Sequence, residues 1–241
     1  MRKKDQGQSL LEFAILVPLF VLFLLGAAEI TLFIGAYINV IDLTREAARF
    51  ASVRDPTKPG SDNFCGAAHT NSFFYDTACI FSPLAGSDSC STADPSFCDG
   101  FNSTLFFKSA EDDIVITSFT VTGNVVTSSS GGWAWSDHDS DTVHNSNWQK
   151  NCDGTSIVPT LTAYFDKPKI DTYLAQTTDT VPNKGFVTVE AYYCYHQVLK
   201  VPLVGLLFPD PMRIHVYTVM PLPAAAPLPT QYPTDTPTPG P

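Results

Sequence analysis

One stretch limits what this chain can become: from Leu10 to Ile41 the sequence is apolar, interrupted only by Glu12, Glu29, Asn39 and a few small residues. Phe13 to Ala28 runs sixteen residues without a charge. A helix rises about 1.5 Å per residue and a bilayer core asks for about 20 mostly apolar residues, so this run is more than long enough to span. Arg2, Lys3 and Lys4 stand just before it. Positive residues beside a membrane segment are retained in the cytoplasm, so the expected topology is N-terminus in, C-terminus out. A cleaved signal peptide is the rival reading, with Gly26-Ala27-Ala28 as its small-residue site. Against it, the apolar run resumes at Ile30, and a carboxylate at Glu12 has no place in an export signal.

The remainder is another material, rich in Ser, Thr, Asp and Pro. From Asp55 onward there are eight basic and nineteen acidic residues. An acidic surface repels phosphate backbones, so no nucleic-acid partner is expected. All six cysteines (Cys65, Cys79, Cys90, Cys98, Cys152 and Cys194) lie in this part, which suggests disulfides in an oxidising, extracytoplasmic compartment. No C-x-x-C pair occurs, which weakens zinc and redox readings. Locality favours Cys65–Cys79, Cys90–Cys98 and Cys152–Cys194 among fifteen connectivities.

The start reads Lys3-Lys4-Asp5-Gln6-Gly7-Gln8-Ser9-Leu10-Leu11-Glu12-Phe13, continuing Ala14-Ile15-Leu16-Val17-Pro18-Leu19-Phe20. A basic leader, a Gly, four residues, Glu-Phe and an apolar run with Pro resemble the opening of TadE-like pseudopilins of the Tad (Flp) pilus machinery. Asp42-Leu43-Thr44-Arg45-Glu46-Ala47-Ala48-Arg49-Phe50-Ala51 resembles the end of the same module. The likeness covers about residues 7–54, and Gln8 departs from the aromatic residue or Met of better-known type IV pilins. It implies cutting by a prepilin peptidase between Gly7 and Gln8, on the cytoplasmic side. It implies that Glu12 pairs with the freed amine of a neighbouring subunit, against the plainer reading of a carboxylate snorkelling to water. Pro18 removes one backbone hydrogen bond and should kink the helix. Glu29, about 25 Å along a helix from Glu12, is expected at the outer interface, where simple solvation is the preferred reading.

Beyond the membrane the helix should run to about Val53, with Asp42, Arg45, Glu46 and Arg49 on one face and Val40, Leu43, Ala47 and Phe50 on another. Residues 56–110 read as disulfide-pinned loops. Ile114–Val121 and Val125–Thr127 read as strands joined by a Gly123-Asn124 hairpin turn, 128–156 as a polar loop carrying Trp133, Trp135 and Trp148, and 187–195 and 212–220 as paired strands. The last segment, rich in Pro and Thr, cannot bury enough apolar surface to order itself. The expected fold is α+β: residues 1–7 a cytoplasmic leader, 8–54 the TadE-like helix, 55–220 an antiparallel β-rich domain, and 221–241 a disordered tail.

Asp137, Asp139 and Asp141 have the alternate spacing that can surround a hard cation. An EF-hand would want Gly and Glu where Thr142 and Trp148 stand, so calcium is the one candidate ligand and a solvated acidic loop the default. No other cofactor is expected. No nucleophile elbow, phosphate loop or dinucleotide fingerprint occurs, and no enzyme is expected. Asn102-Ser103-Thr104 fits a glycosylation sequon. Two functions follow. One is a minor pseudopilin or membrane-anchored assembly factor whose partners are the lipid bilayer, other pseudopilins, the Tad secretion machinery and the prepilin peptidase. The alternative is a signal-anchored adhesion protein that binds through the Trp-rich loop.

Overall fold

The computed structural model describes residues 6–56, 72–82, 100–102, 105–108, 110–138, 146–158, 162–176, 184–200, 205 and 209–222, with α1 side chains from residue 12 and α2 side chains from residue 73. Helix α1 spans Gln6–Ser52. Pro18 lies inside it, and the helix passes through that residue unbroken. Its composition changes character halfway. From Phe13 to Leu25 the large apolar side chains are mostly exposed, whereas from Glu29 onward one stripe is covered. That stripe runs through Glu29, Ala36, Val40, Leu43, Ala47 and Ala51, with half-buried Phe33 continuing it, in steps of three or four. Such spacing keeps one helix face on a partner.

The partner is an antiparallel sheet. Its strands are β1 (Asp113–Thr122), β2 (Val125–Ser129), β3 (Trp133–Ala134), β4 (Lys184–Tyr195) and β5 (Met212–Leu222), in the order β2-β1-β4-β5, with β3 also on β1. Gly123 and Asn124 both have positive φ, 58° and 63°, which matches the twist of a two-residue hairpin between β1 and β2. The registers Ile116↔Val189 and Val189↔Thr218 align three strands, and Ile114↔Ala191 with Ala191↔Val216 does so again.

Because side chains alternate across a strand, the sheet has two covered faces. Ile114, Ile116, Val187, Val189, Ala191, Ile214 and Val216 meet α1 and a short helix, α2 (Ser72–Cys79). Arg54, just past the end of α1, ties it to α2 through an ion pair with buried Asp76 at 2.8 Å, with its guanidinium over the Phe50 ring. On the opposite face Val115, Phe119, Val121 and Tyr192 pack against Trp148, Ala163 and helix α3 (Lys167–Ala175). Asp166 caps α3 by accepting from the Lys169 N–H at 3.0 Å.

The structure adds elements to the sequence expectation: α2 falls in the 56–110 stretch expected as loops, β3 and two 3-10 turns fall in the 128–156 stretch expected as a polar loop, and α3 falls where no element is expected. The four expected strands stand, each extended by a residue or more. A Cys152–Cys194 disulfide joins the Trp-bearing segment to the central strand β4. Cys79 is also disulfide-bonded, to a cysteine outside the described residues. Cys65, Cys90 and Cys98 lie outside them, as does all but the first part of the Pro-rich tail.

Candidate functional site at the helix and sheet junction

The burial stripe of α1 begins with a charge. Glu29 is 2% exposed, and a carboxylate taken from water must recover its solvation from donors. Three are supplied, all from the end of β4 and the turn after it. The Tyr195 hydroxyl and the Val198 N–H donate to Oε1 at 2.7 and 2.9 Å, and the Leu199 N–H donates to Oε2 at 2.7 Å. The turn is itself closed by the Gln197 N–H donating to Asp210 at 3.0 Å, and Lys200 leaves it with a positive φ of 47°. Burial, and then the Glu29 carboxylate that accepts its proton, push the Tyr195 hydroxyl far up, so it stays a donor. The Tyr195 ring meets Phe33 edge-on at 5.3 Å. The preferred reading of Glu29 as a solvated residue is thus corrected: it fastens the helix to the sheet domain at the point where the exposed apolar half of α1 ends.

Beside this latch lies an apolar cavity of about 220 Å3, walled by Ile30, Phe33, Ile34, Pro209 and Met212. A second, more polar hollow of about 450 Å3 lies between the helix at Leu32, Gly35 and Asn39 and the sheet domain at Phe106, Lys108 and His196. On its rim burial works against ionisation of Glu111, but Lys108 and His196 outweigh it and hold the carboxyl below its usual range.

Of the other residues singled out by sequence, Gly7 and Gln8 lie in the first turns of α1, and Glu12 is exposed on it, seventeen residues before Glu29. Asp137 accepts from the Ser146 N–H at 2.7 Å and from its hydroxyl at 2.8 Å, which closes the loop between them. Asp139 and Asp141 lie outside the described residues, and among those described no group of three potential metal ligands occurs.

The Trp-bearing segment does not display its rings, and residues 139–145 within it lie outside the described residues. Trp133, Trp135 and Trp148 are all buried, and Trp133 stacks on Phe74 and His138. What holds it is Asp113 at the start of β1. Its carboxylate accepts from the Ser136 N–H (3.0 Å) and hydroxyl (2.7 Å) and from the Trp148 N–H (3.0 Å). The tryptophans therefore offer no platform for a ligand, and that correction removes the main support for the adhesion reading. Asn102 is corrected likewise. It is buried, its amide donates to the Phe81 and Leu105 carbonyls, and its oxygen accepts from the Leu105 N–H, so no sugar has access to it.

Sequence reasoning missed the Glu29–Tyr195 contact because the partners stand 166 residues apart. One signal was present: Glu29 falls on the same three-four stripe as Ala36, Val40, Ala47 and Ala51.

Among the described residues one helix, within Glu12–Ser52, is long and apolar enough to cross a membrane. Residues 7–49 match the family model of TadE-like proteins. No curated protein and no solved structure matches the chain.

Proposed function

We propose, from the TadE-like segment at its N-terminus, that this chain is a minor pseudopilin or membrane-anchored assembly factor of a Tad (Flp) pilus. The observation that carries the reading is the position of the family match: residues 7–49 coincide with α1, whose first half is clad in exposed apolar side chains. In water that cladding is unfavourable at about 25 cal/mol per Å2, and in lipid or against like helices it is at home.

On this reading residues 1–7 are a cytoplasmic leader and 8–54 the working helix. Residues 55–220 are an extracytoplasmic domain, and 221–241 an unfolded tail. A prepilin peptidase cuts after Gly7. Glu12 then sits near the cytoplasmic boundary, where a neighbouring subunit's new amine recovers part of its desolvation cost and fixes register. Pro18 shapes the packing of this half. Function is exerted by helix packing and protein contacts with other pseudopilins and the secretion machinery, and no cofactor enters it. A calcium ion on Asp137, Asp139 and Asp141 would be an accessory to the domain rather than to assembly.

The test is peptidase dependence. Co-expressed with a prepilin peptidase, the chain should shift to a mass shorter by the first seven residues, and Gly7→Leu should not shift. A wild-type chain left at full mass by an active peptidase would contradict the proposal.

A further inference from the structure

The latch brings part of the sheet domain down to a particular depth on α1. From Glu12, a hydrocarbon core of about 30 Å reaches about twenty residues along a helix, to the level of Leu32. At that level α1 carries exposed Ile30, Leu32 and Ile34. Glu29, one turn below, binds the backbone of Val198 and Leu199, so those two side chains are held beside the same turns. Both are exposed, Val198 at 65% and Leu199 at 41%. Phe106, 45% exposed, lines the same hollow as Leu32 and Val198.

Apolar side chains scattered singly on a surface need no explanation, but these gather as a patch: Val198 and Leu199 lie beside the turn of Glu29, and Phe106 and Val198 share a hollow with Leu32, next to the helix's own exposed Ile30 and Ile34. Lys108, Glu111 and His196 line the same hollow, so charge bounds the patch on that side. The cavity of about 220 Å3 shares Ile30 and Ile34 with the patch, and the carboxylate in its described lining, Glu29, already has its oxygens occupied by three donors. Lys200 and Asp210, the residues after Leu199 and Pro209, are exposed.

We propose that the membrane-proximal end of the sheet domain enters the adjoining leaflet. Val198, Leu199 and Phe106 contact lipid acyl chains, and the cavity beside Glu29 takes the end of one chain. The domain is then seated on the bilayer at two places, the helix and this patch, instead of standing free on a stalk. The inference rests on α1 spanning the membrane.

The test uses the full chain in nanodiscs of phosphatidylcholine and phosphatidylglycerol. Among the described residues no cysteine is free, and the wild-type chain carried through the same labelling sets the background above which a nitroxide at Leu199→Cys or Val198→Cys is read. Phe23→Cys, on the exposed half of α1, is the lipid reference, and Tyr217→Cys, exposed on the far face of β5, is the aqueous one. A label in acyl chains collides more with oxygen than with a nickel chelate, and one in water does the reverse. Lipid-like collision at 198 or 199, matching 23, is the expected result. If both follow 217 while 23 reads lipid, the proposal is overturned and the anchor stands. If 23 also follows 217, the anchor fails and the proposal with it. Loss of collision with both agents, varying with protein concentration, means that a second copy covers the patch and equally overturns the proposal.

Discussion

Glu29 costs desolvation wherever it is placed in an apolar helix, so its worth lies in what it organises. Its removal leaves two backbone N–H groups and a hydroxyl without the carboxylate that accepts from them. Hydrogen bonds to charged groups contribute about 1.5–3 kcal/mol each and are not additive. Glu29→Ala should therefore destabilise the domain by about 2–4 kcal/mol, and Tyr195→Phe by about 1–2 kcal/mol. Thermal unfolding of the purified chain in detergent, followed by the buried tryptophans, reads this. Equal midpoints for wild type and Glu29→Ala would sink the latch. A second pair of carboxylates makes a pH prediction. Burial pushes the Asp112 carboxyl up to about 7 and that of Asp113 up to about 6. Both values lie above the unfolded-state value of about 4, so between these pH values the folded chain holds more protons than the unfolded one. Their contribution is therefore largest near pH 4, falls as pH rises, and levels off above about pH 7. Asp112→Asn should flatten most of that slope in urea unfolding between pH 5 and 8, and a variant with the wild-type slope would contradict the assignment. Beyond the place of Glu29 on the burial stripe, these roles were not legible in the sequence. A carboxylate's solvation depends on donors that the chain brings from far away, and residue type and depth along a helix do not reveal them.

At the scale of elements much more was readable, and the reason is periodicity. The strands alternate, and α1 writes its burial stripe in steps of three and four over several turns. The close approach of helix and sheet rests on Ala47, Ala48 and Ala51, all fully buried. Ala47→Leu should overpack the seam and cost about 1–3 kcal/mol. Arg45→Ala, on the exposed face with its i,i+3 partner Asp42, should change stability by no more than about 0.5 kcal/mol. Denaturant titration of the two variants decides it, and equal effects would mean that the stripe is wrongly placed. The short helices escaped because eight or nine residues give too few turns for a period to show. In α3 a start signal was present, since Asp166 followed by Pro168 is a cap with a proline in the first turn. In α2, Ser72–Cys79, aromatic residues with weak helix preference are held by tertiary packing, as Phe73, Tyr75 and Cys79 are buried. The tryptophans mislead for a related reason: large rings in a polar stretch suggest a binding surface, whereas here Trp133 and Trp135 join the core on the α1 and α2 side of the sheet and Trp148 packs on the opposite side. The Cys152–Cys194 bridge fastens the same segment to β4, and its double Ser replacement should lower stability by about 2–4 kcal/mol.

Across the whole molecule, a single helix serves two solvents. Its second half is the spine of the sheet domain's core, and its first half is exposed and apolar along its length. Glu29 marks the change between them. A rigid join at that point means that whatever holds or moves the first half of α1 also moves the domain, which suits an assembly role better than a flexible tether would. All of this requires the apolar half to remain part of the mature protein. The direct measurement is the N-terminal sequence of the protein recovered from cells, read separately from membrane and soluble fractions. The account predicts a membrane-bound product that begins at Gln8. A soluble product beginning near Glu29 would contradict it, because the helix would then have been removed at the latch and no rod would be left to assemble.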